Sequence, residues 1–182
     1  MAIFTLSVDP GINGCGTALF QDEKLIQAVY VRGGSSADPL EDRVRLVADA
    51  VYGTYHAVDS LIIEVPQVYT AAKSKGDPND LIKLALVVGA VMGQFQGSDI
   101  TLFKPAEWKG QLEEVACALR ILGRLTPEEK DNIVGLPEFW KRLEMAKKTG
   151  KGINGVEHNT VDAIGIGLKA LDRFERKMVI AR

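Results

Sequence analysis

The sequence of 182 residues predicts an α/β fold with a mixed five-stranded sheet flanked by helices. Three short segments rich in β-branched and aromatic residues follow one another through tight turns near the N-terminus, which predicts an antiparallel meander. Two further apolar segments then alternate with stretches of helical periodicity. We therefore expect the first three strands to be antiparallel and the helices to cover the sheet.

The elements follow from the spacing of apolar residues. Strands are predicted at residues 3–8, 15–20, 24–31, 60–65 and 99–103. Helices are predicted at residues 39–57, 80–96, 111–122, 127–134, 137–148 and from 157 to about 176. Helix 80–96 is apolar almost all round, so we expect one face on the sheet and one on a partner subunit. A fully internal helix is the alternative. Residues 1–182 are expected to form one domain.

Composition places few limits on function. The hydrophobic content is 46%, the charged content 25% and the net charge −2, as in ordinary soluble proteins. Two isolated cysteines fit a reducing compartment, and no signal peptide or apolar run long enough to span a bilayer is predicted. We therefore expect a cytoplasmic protein without a membrane segment. The basic run from Lys141 to Lys151 could bind phosphates, although such a run is more often a solvated helix face.

Three carboxylates stand where the predicted elements meet. Asp9 ends the first strand before a glycine-rich turn, and alone it would be a structural turn residue. Glu64 lies near the end of a buried strand, which is costly unless the carboxylate faces a site, a metal or a partner. Asp162 lies in the last helix, one turn after His158. Because strands one and four are natural neighbours, we expect Asp9 and Glu64 to converge.

Converging carboxylates repel one another unless a cation joins them. Hard oxygen ligands with little His or Cys select Mg²⁺ or Mn²⁺. Two such ions about 3.5–4 Å apart can hold the attacking and leaving oxygens of a phosphodiester. The glycine-rich surroundings of Asp9 are expected to let a phosphate backbone approach. The sequence therefore predicts metal-assisted phosphodiester chemistry.

Three motifs together give a family resemblance. They are Val8-Asp9-Pro10-Gly11 followed by Gly14 and Gly16, Ile62-Ile63-Glu64 followed by Gln67-Val68-Tyr69, and His158 to Leu168 with Asp162-Ala163. In order and spacing the chain resembles the RNase H-like nucleases and, among them, the RuvC family of Holliday-junction resolvases. The resemblance implies an RNase H-like fold and a crossover junction endodeoxyribonuclease that acts on four-way or branched DNA. It also implies Mg²⁺ or Mn²⁺, with two ions per site, and a homodimer for which helix 80–96 is the natural contact.

The same resemblance assigns the site residues. Asp9, Glu64 and Asp162 would be catalytic, metal-binding carboxylates. The family's fourth group is an Asp or His three residues before the last Asp, where this chain has Asn159. His158, four residues before, is expected to replace it as a catalytic and metal-binding group. Such departures are compatible with a phage-type member.

The DNA-binding residues are assigned by position. Tyr69 is the candidate for stacking near the junction centre, with Lys73 and Lys75 nearby for phosphates. Lys104 and Lys109 match the region where the family has basic residues facing DNA.

Three other functions are alternatives to this one. An actin-like ATPase also has an Asp-Gly phosphate loop after its first strand, but it needs two such domains and a second motif. A non-catalytic DNA- or protein-binding relative of the same fold is a second alternative. A sibling nuclease that acts on RNA or on other branched DNA is a third, and the sequence leaves it open.

Overall fold

The computed structural model describes residues 1–68, 77–153 and 155–175. The strands are β1 (Phe4–Asp9), β2 (Gly14–Gln21), β3 (Lys24–Arg32), β4 (Ser60–Glu64) and β5 (Asp99–Phe103). The helices are α1 (Leu40–Thr54), α2 (Pro78–Gln94), α3 (Pro105–Trp108), α4 (Glu114–Leu122), α5 (Pro127–Asp131), α6 (Leu136–Thr149) and α7 (Glu157–Ala170).

The strand order is β3-β2-β1-β4-β5. Strands β1, β2 and β3 pair antiparallel, whereas β4 pairs parallel to both β1 and β5. The predicted mixed sheet with an antiparallel first half is confirmed. The parallel pairing of β1 and β4 brings the carboxyl ends of both strands to the same edge of the sheet.

Side-chain alternation along β1 divides the structure into layers. Leu6 and Val8 face the apolar core shared with α1 and α2. Ser7 faces the opposite side, where its hydroxyl donates a 2.7 Å hydrogen bond to the carbonyl oxygen of Ala163 in α7. A second core on that side joins the sheet to α4, α6 and α7. The sheet is thus covered on both faces.

Helix α7 ends at Ala170, six residues earlier than the sequence predicts. Asp172 adopts a φ of 55°, in the left-handed region that terminates a right-handed helix. The backbone amides of Arg173 and Phe174 both return to the carbonyl of Leu168. This turn directs Arg173 away from the helix axis and towards α5.

Arg173 forms a buried ion pair with Glu129. Its guanidinium makes two bonds to Glu129, of 2.7 and 2.9 Å, and only 1% of Glu129 is exposed. Glu129 also accepts hydrogen bonds from the backbone amides of Leu25 and Thr126. Burial opposes ionisation, but the bonds from Arg173 and the two amides outweigh it and lower the pKa of Glu129. The pair ties the end of α7 to α5 and β3.

The close packing of α7 on the sheet depends on Gly16 in β2. A Cβ atom at this position would lie 2.0 Å from the carbonyl oxygen of Asn159. At Gly11, a Cβ would likewise lie 2.6 Å from the carbonyl oxygen of Gly14. Protein backbone fills the space beside both glycines. The prediction that these glycines leave room for a phosphate backbone is therefore wrong at both positions. The missing side chain instead allows protein backbone to pack closely.

Both cysteines, Cys15 and Cys117, are free and buried. Burial raises the pKa of each thiol to about 12, so both are protonated near neutral pH. Among the described residues, no helix has the length and apolar character that crossing a bilayer would require.

We expect Gly16→Ala to destabilise the protein by roughly 1–3 kcal/mol, the usual cost of forcing extra atoms into a packed site. The obstructing atoms belong to the backbone of α7 and cannot rotate away. Urea unfolding measures the change. Gly53→Ala is the control, since a Cβ there meets nothing within 4 Å. Equal stability of the two variants would contradict the close packing of α7 against β2.

Glu129→Gln should lower the free energy of unfolding by roughly 3–5 kcal/mol at neutral pH, because it leaves the Arg173 charge buried without its partner. The folded-state pKa of Glu129 lies below its usual value. Its contribution is therefore present above the unfolded-state pKa and is lost as pH falls through the folded-state pKa. Denaturant unfolding at several pH values should show the difference between wild type and variant shrinking in acid. Exposed Glu144→Gln should show neither effect.

Candidate active site

The ends of β1 and β4 place two carboxylates side by side. Val8 pairs with Ile63 in the parallel register, so Asp9 and Glu64 are the next residues on adjacent strands. Each is the last residue of its strand. Asp9 is 9% exposed, and Glu64 is half-buried. The sequence prediction that these two residues converge agrees with this register.

The third carboxylate comes from α7. Ser7 and Gly16 hold the first half of this helix against β1 and β2, and Asp162 directly precedes the Ala163 carbonyl that Ser7 binds. Asp162 is close enough to Asp9 and Glu64 for its negative charge to raise the pKa of both. Three acidic residues from three separate elements therefore meet at one edge of the sheet.

Lys109 lies among these carboxylates. Its Nζ is 3.2 Å from Oδ2 of Asp162, and its charge also acts on Asp9 and Glu64. The same Nζ lies 4.8 Å from the centre of the Trp108 ring, within the range of a cation–π contact. Burial acts to lower the pKa of Lys109, but the three carboxylates outweigh it and raise the pKa above its ordinary value. Lys109 is therefore an ammonium ion held inside an acidic cluster.

Trp108 is the partner of Glu64. Its indole N–H donates a hydrogen bond to Oε2 of Glu64. The ring is 2% exposed and packs edge-on against Phe174, with centroids 6.1 Å apart. Gly165 of α7 lies directly against the ring, since a Cβ there would come within 2.5 Å of it. Trp108 is thus fixed from several sides.

The electrostatics of the cluster are unbalanced. Burial raises the pKa of Asp9 well above its usual range, and the charges of Asp162 and Glu64 raise it further against the opposing effect of Lys109. Burial also raises the pKa of Glu64, although Lys109 and Trp108 act to lower it. Among the residues that the structure describes, one ammonium group faces three carboxyl groups, so basic groups are fewer than acidic groups in this part of the site.

The first turn of α7 carries the two candidates for a fourth group. Nδ1 of His158 is hydrogen-bonded to the carbonyl oxygen of Gly155, just before the helix. The side-chain amide of Asn159 lies beside Gly11, with Nδ2 3.5 Å from where a Cβ on Gly11 would be. Asn159 therefore adjoins the turn that follows Asp9, and the ring of His158 is directed by the backbone before α7.

The structure describes two of the five predicted DNA-binding residues. Lys104 is exposed and directly follows β5, whose last residue, Phe103, pairs with Glu64. Lys109 joins the acidic cluster as well as bordering the surface. Tyr69, Lys73 and Lys75 lie outside the described residues.

Sequence reasoning missed Trp108 and the ion pair of Lys109. Both residues were visible as a Trp-Lys pair shortly after the fifth strand. Phe103 pairs with Glu64, so the chain leaves β5 beside the end of β4. The place of the Trp-Lys pair shortly after the fifth strand was therefore the sequence signal that could have identified both residues.

No protein-family profile matches the chain, and neither does any curated protein. Solved structures do. RuvC of Thermus thermophilus bound to a Holliday-junction substrate is 17% identical over 93% of this chain and 94% of its own, with a TM-score of 0.56. A second structure of Thermus thermophilus RuvC has the same identity and coverage and a TM-score of 0.55.

The yeast mitochondrial Holliday-junction resolvase Ydc2 is 10% identical over 93% of this chain and 79% of its own, with a TM-score of 0.51. At such identities the similarity concerns the fold. The chain therefore has the RNase H-like fold that is found in RuvC and Ydc2, with the same mixed five-stranded sheet that its sequence predicted.

Proposed function

We propose that residues 1–182 form a single metal-dependent endonuclease domain that resolves Holliday junctions or related branched DNA by hydrolysing phosphodiesters. One observation carries the proposal: Asp9, Glu64 and Asp162 arrive from β1, β4 and α7 at one edge of an RNase H-like sheet. A cluster of one buried and two half-buried carboxylates is costly for folding alone, and it is the arrangement that phosphoryl chemistry with divalent cations needs.

The donors fit a hard divalent cation by their chemistry. Carboxylate oxygens are the ligands that Mg²⁺ and Mn²⁺ prefer, and a bound cation would offset the burial and the neighbouring negative charges that raise the pKa of Asp9. Within the described residues, the three carboxylates share one edge of the sheet, but no group of three acidic, His or Cys side chains is arranged so that it could hold a metal ion as it stands, and Lys109 lies among the carboxylates. Asp9, Glu64 and Asp162 would hold the cation, with His158 as the proposed fourth group. When bound, it would supply an activated water and stabilise charge on the phosphate.

The chain's own residues would position the substrate. Lys109 is partly exposed while its ammonium group lies at the acidic cluster, so it can contact a phosphate at the rim. Lys104, exposed at the end of β5, adds a second positive charge at the same edge. Both would hold a phosphodiester against the carboxylates, where positioning contributes much of the rate.

Further basic residues support a polyanionic substrate. Helix α6 and the residue that follows its turn expose Lys141, Lys147, Lys148 and Lys151. Arg142 of the same helix forms a 3.0 Å ion pair with Glu157 in the first turn of α7. The basic helix is therefore anchored beside the helix that carries Asp162. We also retain Tyr69, Lys73 and Lys75, which follow β4 in the chain, as proposed DNA contacts.

The same proposal includes a homodimer through α2. Its outer face exposes Ile82 and Leu86 at 61% and 49%, which excludes a fully internal helix. Nothing in the described structure lies within 4 Å of a Cβ at Gly89 or Gly93, further along α2. Exposed Ile100 and Leu102 of β5 pair with Leu61 and Ile63, so they extend apolar surface on the side of the sheet that α2 covers. A second copy could cover this surface by two-fold symmetry.

Asp9→Asn should abolish Mg²⁺- or Mn²⁺-dependent cutting of a synthetic four-way junction while leaving junction binding intact. The loss should exceed the roughly 10–100-fold typical of residues that only support metal ligands. Cleavage gels and fluorescence anisotropy measure the two properties. Junction, flap, duplex and RNA–DNA hybrid substrates should be compared in parallel, since a preference for the hybrid would indicate a sibling nuclease.

Asp99→Asn is the matched control, because Asp99 is exposed at the opposite end of the sheet, at the start of β5. It should cut like the wild type. Cutting by Asp9→Asn at the wild-type rate would overturn the assignment of the site.

Leu86→Glu should weaken self-association at least about tenfold, because it buries a charge in the proposed interface. Analytical ultracentrifugation measures the dissociation constant. Val134→Glu is the control, since Val134 is 60% exposed but bonds to β3, at the other edge of the sheet. Equal weakening by both variants, or by neither, would contradict a dimer through α2.

A further inference from the structure

We infer that Trp108 is a positioning residue that fixes one oxygen of Glu64, so that Glu64 offers a cation its other oxygen and the site favours Mg²⁺ and Mn²⁺ over Ca²⁺. The inference rests on the proposed function, because it concerns the cation that the carboxylates would hold. It goes beyond that function by assigning a selectivity determinant to a residue that is itself no metal ligand.

The first step is the direction of the hydrogen bond. An indole has one N–H donor and no acceptor, so Trp108 can only donate and Glu64 can only accept. The donor atom is Nε1 and the acceptor is Oε2. Hydrogen bonds to an ionised carboxylate are stronger than those between neutral groups. The bond also acts to lower the pKa of Glu64 against the effect of burial, as a bond to the charged form must.

The second step is the rigidity of the donor. Trp108 is almost fully buried between Phe174 and the backbone of α7 at Gly165, and Ile121 also packs against Gly165. A rotation of the indole would have to displace packed atoms, which is costly in a dense core. Glu64 is equally constrained at its backbone, since it ends a strand paired with β5. The bond therefore sets the orientation of the carboxylate.

The third step links this orientation to the choice of cation. Ca²⁺ takes six to eight oxygens and readily accepts both oxygens of one carboxylate. Mg²⁺ requires near-ideal octahedral geometry, keeps several waters and is bound through one or two carboxylates. A Glu64 whose Oε2 is held by a buried N–H is poorly placed to chelate with both oxygens. The indole therefore penalises Ca²⁺ more than the smaller cations.

Trp108→Phe tests the inference, because Phe keeps an aromatic ring in the core and removes the N–H. Calorimetric titration of the full chain with Mn²⁺ and with Ca²⁺ gives two dissociation constants. We expect the ratio of the Ca²⁺ constant to the Mn²⁺ constant to fall about tenfold in the variant, the lower end of effects from residues that orient ligands. Trp140→Phe is the control, since Trp140, the other tryptophan, is exposed on α6 and its substitution should leave the ratio unchanged.

The outcomes separate the inference from the proposed function. Wild-type protein that binds neither cation would overturn both. Wild-type protein that binds Mn²⁺, with an unchanged ratio in Trp108→Phe, would overturn the positioning role and leave the proposed function standing.

A second measurement avoids substitution at Trp108. In Trp140→Phe, the single remaining indole N–H is observed by proton–nitrogen NMR, with and without Mg²⁺. The inference expects a hydrogen-bonded resonance that Glu64→Gln shifts and that Mg²⁺ preserves. A resonance that Mg²⁺ moves to the position seen in Glu64→Gln would show that the cation takes both oxygens, which overturns the inference.

Discussion

Repulsion among three carboxylates, of which Asp9 is buried and Glu64 and Asp162 are half-buried, is the constraint on which the rest of the site depends. Burial raises the pKa of Asp9 and of Glu64, and the negative charge of Asp162 raises both further. Lys109 offsets part of this cost, because its ammonium group lies among the three carboxylates. Removing one charge from a buried ionic group usually destabilises a protein strongly.

The site also depends on packing by residues outside the acidic cluster. Asp162 reaches the cluster because α7 lies directly on β2, and that contact requires the absence of a side chain at Gly16. The hydroxyl of Ser7 fixes the same helix along its axis through the Ala163 carbonyl. At the far end of α7, Arg173 and Glu129 hold the chain as it leaves the helix. Three kinds of interaction thus determine where one carboxylate lies.

The carboxylates were predictable from sequence, and the residues that support them were not. Asp9 and Glu64 end strands whose composition identifies them, and a sheet of this kind brings those strands together. The bond from Trp108 to Glu64 joins residues 44 positions apart through a short helix that no apolar period marks. A local sequence pattern likewise does not show whether a glycine is required by a turn, by a bound phosphate or by the close packing of a helix. Gly16 was expected to admit a ligand and instead admits α7.

The segment that follows β5 is the fourth part of the chain, after β1, β4 and α7, that contributes residues to the site. Lys104, Trp108 and Lys109 come from one stretch of six residues, and they respectively face solvent, orient Glu64 and pair with Asp162. The roles of Trp108 and Lys109 do not exist until β5 has paired with β4 and α7 has covered the ring of Trp108. The acidic cluster and its supporting groups therefore form together with the complete tertiary structure. A partly folded chain would carry all the same residues without the site.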